Sequence, residues 1–254
     1  MQILTWNDIL EAMESGSEIP IFSAGTGISV GSFDGVHLGH RKLISELVES
    51  CRAKNLRPGV VSFSRPLPGI KHSGDYMGDL TTLAQRLEIF ESLGISFAVI
   101  VDFDDSFASL MGTDFLNILL NITGMRLIAE GFDFRCGYKG ATDTQAIKYW
   151  ADSRNVECVF VEPVYYRDGA GGEARVSSSY IRGMIQRGFF TTASELLARP
   201  YRLDISTLRK NGFTSQILPP DGIYRVRSEG GDEVRLEISG RKIAEIPDCS
   251  SLDF

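Results

Sequence analysis

The chain has 254 residues, 43% of them hydrophobic and 23% charged, enough for one large domain and one small one with a real core, and a composition that argues against extended disorder. Its formal net charge of −7 excludes a broad basic face for DNA or RNA, so a polyanionic ligand has to be held by a local cluster. No apolar run approaches the ~20 residues of a membrane helix, and the acidic stretch Met1 to Phe22 lacks the basic start of a signal peptide; a soluble, cytoplasmic protein without a membrane partner is expected.

From Ile28 to about Val161, short apolar runs alternate with segments of helical period, the pattern of successive βαβ units and hence of a parallel sheet. Ile28 to Gly31 reads as a strand. Leu43, Ile44, Leu47, Val48 and Cys51 then fall on one helix face, and Gly59 to Phe63 is the next strand. Leu83, Leu87, Phe90 and Leu93 recur at helical spacing with Gly94 as a stop, ahead of a buried strand Ile95 to Val101. A further helix is expected near Thr113, capped by its hydroxyl, then a strand Arg126 to Glu130, a helix Asp143 to Arg154 and a strand Val156 to Val161. Five strands with interposed helices imply an open, doubly wound sheet, with ligands at the carboxyl ends of its strands. After Arg199 and Pro200 the texture changes to short strands, Tyr201 to Ile205, Gly222 to Arg227, Glu233 to Ile238 and Lys242 to Ile246, without a convincing helix; a small all-β appendage is expected. Cys51, Cys136, Cys158 and Cys249 are too scattered for a zinc site or a disulfide scaffold and read as reduced thiols.

The segment Gly31-Ser-Phe-Asp-Gly-Val-His-Leu-Gly-His40 follows a strand and opens a helix, where free N–H groups and the helix dipole favour phosphate. Gly31, Ser32, Phe33, Asp34, Gly35 and Gly39 are the candidate nucleotide-binding residues of this turn. Gly31 and Gly35 let backbone approach a ligand, and Gly39 leaves room between two imidazoles. His37 and His40, two of the three histidines in the chain, stand three apart and are the candidate catalytic imidazoles. A histidine-x-glycine-histidine signature of this kind marks the nucleotidyltransferase superfamily and does not by itself name the acceptor.

Four further segments continue the pattern: Val60-Val-Ser-Phe63; Leu80-Thr81 ahead of Leu93-Gly94-Ile95; Gly131-Phe-Asp-Phe-Arg-Cys-Gly137; and Val176-Ser-Ser-Ser-Tyr-Ile-Arg182. In this order they resemble the bacterial FAD synthetase family, usually bifunctional riboflavin kinases and FMN adenylyltransferases, over Ile28 to about Tyr201. The resemblance implies ATP and FMN as substrates, with Mg²⁺ accompanying ATP. It puts Phe63, Asp133 and Phe134 against the flavin, Ser178 on the nucleotide, and Ser179 and Arg182 with the two histidines in catalysis. Ser177 to Arg182 also begins a helix on residue grounds, its serines able to cap and its arginine able to take an anion. Ser179 keeps the hydroxyl of the family's usual threonine, Cys136 stands where phenylalanine is common, and Arg65 takes a place usually held by proline in Phe63 to Pro68.

The implied reaction is attack of an FMN phosphate oxygen on the α-phosphorus of ATP. A phosphate monoester is already largely a dianion at neutral pH, so no general base is required. Mg²⁺ bridges phosphates and retains waters, and no protein metal ligand is expected. The expected organisation is an adenylyltransferase domain over residues 1–198 and a reduced, kinase-inactive riboflavin-kinase-like β segment over 199–254, because Tyr201 to Leu218 holds Asn211-Gly-Phe-Thr-Ser215 in place of the kinase's phenylalanine-proline-threonine-alanine-asparagine run and the later kinase segments do not follow. The alternatives are a nucleotidyltransferase with another phosphate acceptor and a non-catalytic flavin- or nucleotide-binding protein; comparing acceptors with ATP while following pyrophosphate release separates all three.

Overall fold

The computed structural model describes residues 1–66, 76–167 and 171–254. By their own contacts these residues form two compact units, one of residues 1–33, 40–66 and 87–163 and the other of residues 34–39, 76–86, 164–167 and 171–254.

The first unit contains, in chain order, β1 (Gln2–Thr5), α1 (Trp6–Ser15), β2 (Thr26–Val30), most of α2 (Leu38–Ala53), β3 (Arg57–Phe63), the later part of α3 (Leu83–Ser92) and β4 (Phe97–Val101). It continues through α4 (Asp105–Ser109), α5 (Gly112–Thr123), β5 (Met125–Gly131), the short pair β6 (Arg135–Cys136) and β7 (Thr142–Asp143), α6 (Thr144–Asp152) and β8 (Glu157–Val161). Six of its strands form one sheet in the order β1-β4-β3-β2-β5-β8, every neighbour parallel. The order grows outward in both directions from β2, which is the doubly wound arrangement, and it puts the switch point at the carboxyl ends of β2 and β5. Every residue of β2 is buried, as is all of β3 after Arg57, which is why these strands show no alternation of apolar and charged residues.

The sheet has one strand more than the sequence pattern gave. β1 is four residues long with a single buried side chain, too short to show a period, and it is completed only by pairing with β4. α1 follows at once through a capping box: Thr5 Oγ1 accepts from the Asp8 amide at 3.2 Å, while Asp8 accepts from the Thr5 amide at 2.6 Å. A second correction concerns Thr113. α5 begins one residue earlier, after Met111, without a side-chain cap, so Thr113 lies inside its first turn. α6 starts one residue later than the sequence pattern has it, at Thr144, with Asp143 as its cap, accepting from the Ala146 amide at 3.0 Å.

The second unit contains β9 (Tyr165–Arg167), β10 (Glu173–Arg175), α7 (Ser178–Gln186), α8 (Phe190–Leu197), β11 (Arg202–Asp204), α9 (Ile205–Asn211), β12 (Gly222–Ser228), β13 (Glu233–Ser239), β14 (Lys242–Ile243) and β15 (Ser251–Asp253). Its five-stranded sheet runs β11-β15-β12-β13-β14, with antiparallel neighbours. Leu203, Ile205, Leu208, Val226, Leu236, Ile238 and Leu252 form its core. The expectation of no helix after Arg199 is corrected by α9. Asp204 caps this helix, accepting from the Thr207 amide at 2.8 Å, but it buries only Ile205 and Leu208, one turn of pattern that periodicity cannot resolve.

Candidate functional site

The first unit carries Gly31, Ser32, Phe33, His40, Phe63, Asp133 and Phe134; the second carries Asp34, Gly35, His37, Gly39, Ser178, Ser179 and Arg182.

In the first unit the chain leaves β2 at the switch point. Gly31 donates to Val61 O at 3.0 Å, so backbone pairing with β3 persists one residue past the strand. On the other side β2 and β5 diverge after Ile28, and the carboxyl of Glu130 takes over the Val30 amide at 2.6 Å. Glu130 is fully buried, and burial drives its pKa well above the ordinary carboxyl range against the pull of that amide. Phe33, 2% exposed, meets His40 and Phe90 edge-on at 5.3 and 5.6 Å. Its ring occupies the space beside Gly31, and the carbonyl of Ser32 accepts from Ser62 Oγ at 3.4 Å. His40 lies in the first turn of α2 and is partly exposed.

Phe63 closes β3 as a core residue, 5% exposed and edge-on to Phe103 and Phe107. Leu67 and Pro68 of the segment that follows lie outside the described residues. At the end of β5, Asp133 is exposed while Phe134 packs on the main core, its amide turned back to Gly131 O at 2.9 Å. The aromatic most open to solvent in this loop is Phe132, at 45%. Cys136 is partly buried, and burial raises its thiol pKa to about 12.

In the second unit, Asp34 is the centre of a buried network. It is 2% exposed and accepts from the Leu80 amide at 3.0 Å, the Thr81 amide at 3.1 Å and Thr81 Oγ1 at 3.2 Å, and it is ion-paired with Arg182. Burial pushes the Asp34 pKa up, opposed by the Arg182 charge and the Leu80 amide. Ser178 Oγ donates to the Asp34 carbonyl at 2.8 Å. Gly35 takes φ +81° and donates to Thr81 Oγ1 at 3.0 Å, while its carbonyl accepts from Arg199 at 2.7 Å. A side chain on Gly35 would meet Leu80 at 2.7 Å, so packing and backbone conformation both require glycine there.

His37 sits immediately before α2 and is 5% exposed, its ring against the bare Cα of Gly39. Burial, followed by the charges of Arg175, Arg199 and Arg182, lowers its pKa to about 4, so it is a neutral imidazole at pH 7. Ser177 caps α7, accepting from the Tyr180 amide at 3.2 Å, and Ser179 lies exposed in that helix's first turn. The structure thus brings Asp34, Gly35, Ser178 and Arg182 into one hydrogen-bonded cluster. It adds Thr81 and Arg199 to that cluster and sets Arg175 where its charge acts on His37; the sequence reading gave none of the three a site role. Thr81 had a signal in its pairing with Leu80 as a motif, and Arg175 stands one residue before the serine segment; Arg199 had none beyond its place at a texture change.

Among the described residues no helix is long and apolar enough to cross a membrane, and no three His, Cys, Asp or Glu side chains gather as a metal-binding group.

A protein-family model described as FAD synthetase matches residues 20–180. A Bacillus subtilis (strain 168) protein named bifunctional riboflavin kinase/FMN adenylyltransferase is 29% identical over 222 residues, covering 82% of this chain and 68% of that protein. A protein of the same name from Buchnera aphidicola subsp. Schizaphis graminum (strain Sg) is 27% identical over 191 residues, 74% of this chain and 60% of the relative. Among solved structures, a Streptococcus pneumoniae protein described as a macrolide-efflux protein superposes with a TM-score of 0.70 at 23% identity, over 89% of this chain and 90% of that one, a likeness of fold. With a family model spanning more than half of the residues, including the glycine and histidine turn after β2, the chain belongs to the FAD synthetase family.

Proposed function

We propose that the protein transfers AMP from ATP to FMN, giving FAD and pyrophosphate. The observation that carries this reading is the setting of His37: a buried, neutral imidazole at the entry of α2, close enough to Arg175, Arg199 and Arg182 that their charges lower its pKa. A triphosphate at this turn reverses that electrostatic push, and the neutral ring offers an N–H to it at no charging cost.

An oxygen of the FMN phosphate attacks the α-phosphorus of ATP, the bond to the bridging oxygen breaks, and pyrophosphate leaves with the electron pair. The nucleophile is already ionised, so the protein's contribution is alignment and stabilisation of charge on the transferring group. His37 and His40 donate to the phosphates, Ser179 and the first amides of α7 offer a second set of donors, and Arg175 and Arg199 supply positive charge. Asp133 and the ring of Phe132 or Phe134 bound the flavin at the end of β5. Mg²⁺ enters with ATP as part of the substrate, keeping its waters; the carboxylate of Asp34 is committed to Arg182, Leu80 and Thr81.

The segment 199–254 acts without kinase chemistry in this reading, since Asn211-Gly-Phe-Thr-Ser215 stands in place of the residue run expected of a riboflavin kinase. Chromatography of the purified protein with FMN, ATP and Mg²⁺ tests the first claim: FAD and pyrophosphate in equal amounts are expected, and pyrophosphate with another acceptor but not with FMN overturns it. Riboflavin in place of FMN tests the second, with no FMN expected to accumulate.

A further inference from the structure

We propose that Asp34 and Arg182 are the positioning pair of the nucleotide turn, Arg182 acting through Asp34 and not on the triphosphate. The proposal rests on the adenylyl-transfer reading and deepens it. Three residues of this turn hold positive φ: Phe33 at +48°, Gly35 at +81° and Val36 at +39°. For a β-branched residue such as Val36 that conformation is an outlier, and it persists only where the surroundings over-determine the backbone.

Asp34 stands within this strained run and supplies the determination. Its carboxylate is held by the Leu80 amide, the Thr81 amide and hydroxyl, and Arg182. The next peptide is fixed on both sides, the Gly35 amide by Thr81 Oγ1 and the Gly35 carbonyl by Arg199. Arg182 in turn faces the protein: it is 7% exposed, its Nε donates to Gly78 O at 2.8 Å, and Nη2 serves both Asp34 and the Tyr76 hydroxyl. The Tyr76 ring covers one face of the guanidinium at 4.8 Å, and the Tyr76 hydroxyl donates to Asp79 at 2.6 Å. Arg86, fully buried, lies within electrostatic reach of both Asp34 and Asp79. A guanidinium spent in this way fixes where the turn stands, and its planar fork explains why arginine and not lysine is there.

The test uses the full chain as Asp34→Asn, Arg182→Gln and the double variant, with kcat and KM for ATP measured beside amide hydrogen exchange at Gly35, Leu80 and Thr81. Each single change is expected to speed exchange at those amides at least about tenfold while β3 and β4 keep their protection, and to lower kcat/KM by about 10–100-fold, the cost of a displaced catalytic group. The double variant is expected to lose no more than either single one, because both break the same device. Arg182→Gln that raises KM for ATP with unchanged exchange at Leu80 and Thr81, and losses that multiply in the double variant, would make Arg182 a direct phosphate ligand and end the proposal. Thr81→Val, which keeps the ion pair and removes only a hydroxyl, guards against variants that do not fold; faster exchange at Gly35 is expected, and no change overturns the claim. If the wild type makes no FAD, the adenylyl-transfer reading falls while the exchange measurements still decide the pair.

Discussion

His37 and His40 share a signature but have different surroundings, and the difference is testable. His40, partly exposed in the first turn of α2, packs edge-on against Phe33. His40→Ala should therefore lower kcat by about 10²–10³, the usual loss of one transition-state donor, with little change in the urea midpoint. His37 is buried, with a pKa lowered to about 4 from 6.5. An unfolded chain binds a proton at this ring below pH 6.5 that the folded chain refuses until about pH 4. Stability is thus full above pH 6.5 and falls through that window, by roughly 3 kcal/mol. In His37→Gln the difference in unfolding free energy between pH 7.5 and 4.5 should shrink by about that amount, and the wild-type ring should show no NMR titration between pH 8 and 5 unless ATP is bound.

At the scale of elements, the site depends on how β2 and β5 end. Their ladder stops at Ile28, and the buried Glu130 side chain satisfies the Val30 amide that the ladder leaves. A carboxyl whose folded pKa is raised contributes stability that is present below its unfolded value of 4.5 and lost as pH rises through the folded one. Glu130→Gln keeps an acceptor for Val30 and removes the ionisation. It should match the wild type near pH 4 and unfold at higher denaturant than the wild type at pH 8. Glu130→Val, which leaves the amide without an acceptor, should be the less stable of the two at every pH, by about 1–3 kcal/mol. None of this was legible in the sequence, where Glu130 reads as the polar last residue of a strand. The helices told more: the serines from Ser177 read as caps, and Ser177 caps α7.

At the scale of the molecule, the turn Asp34–Gly39 and the segment 199–254 belong to one compact unit. Asp79 donates its amide to Ser215 O at 2.7 Å, and Gln216 reaches the Leu80 carbonyl at 3.1 Å, one residue from the amides that hold Asp34. The loop between α9 and β12 therefore braces the segment that braces the turn. Leu236 is fully buried in the core of that sheet. Leu236→Ala should cost about 2–5 kcal/mol and speed amide exchange from β11 to β15 and at Gly35, while β3 and β4 stay protected, because cooperative units open separately. Uniform acceleration across all strands would mean that the chain unfolds as a single body.

The sequence by itself determined the parallel sheet, since strands buried on both faces must read as apolar runs, and it located the glycine and histidine turn after β2, since residue spacing at a strand-to-helix junction is a local property. It also carried the family, through short segments in a fixed order. What only the tertiary structure decided is which polar side chains pair within the protein: Arg182 looks like an anion contact in its own helix and is ion-paired with Asp34 across 148 residues of chain. The same holds for β1, α9 and the Glu130 contact to Val30. Each is too short or too polar to announce itself, and each is stabilised by pairing with distant residues that no local pattern encodes.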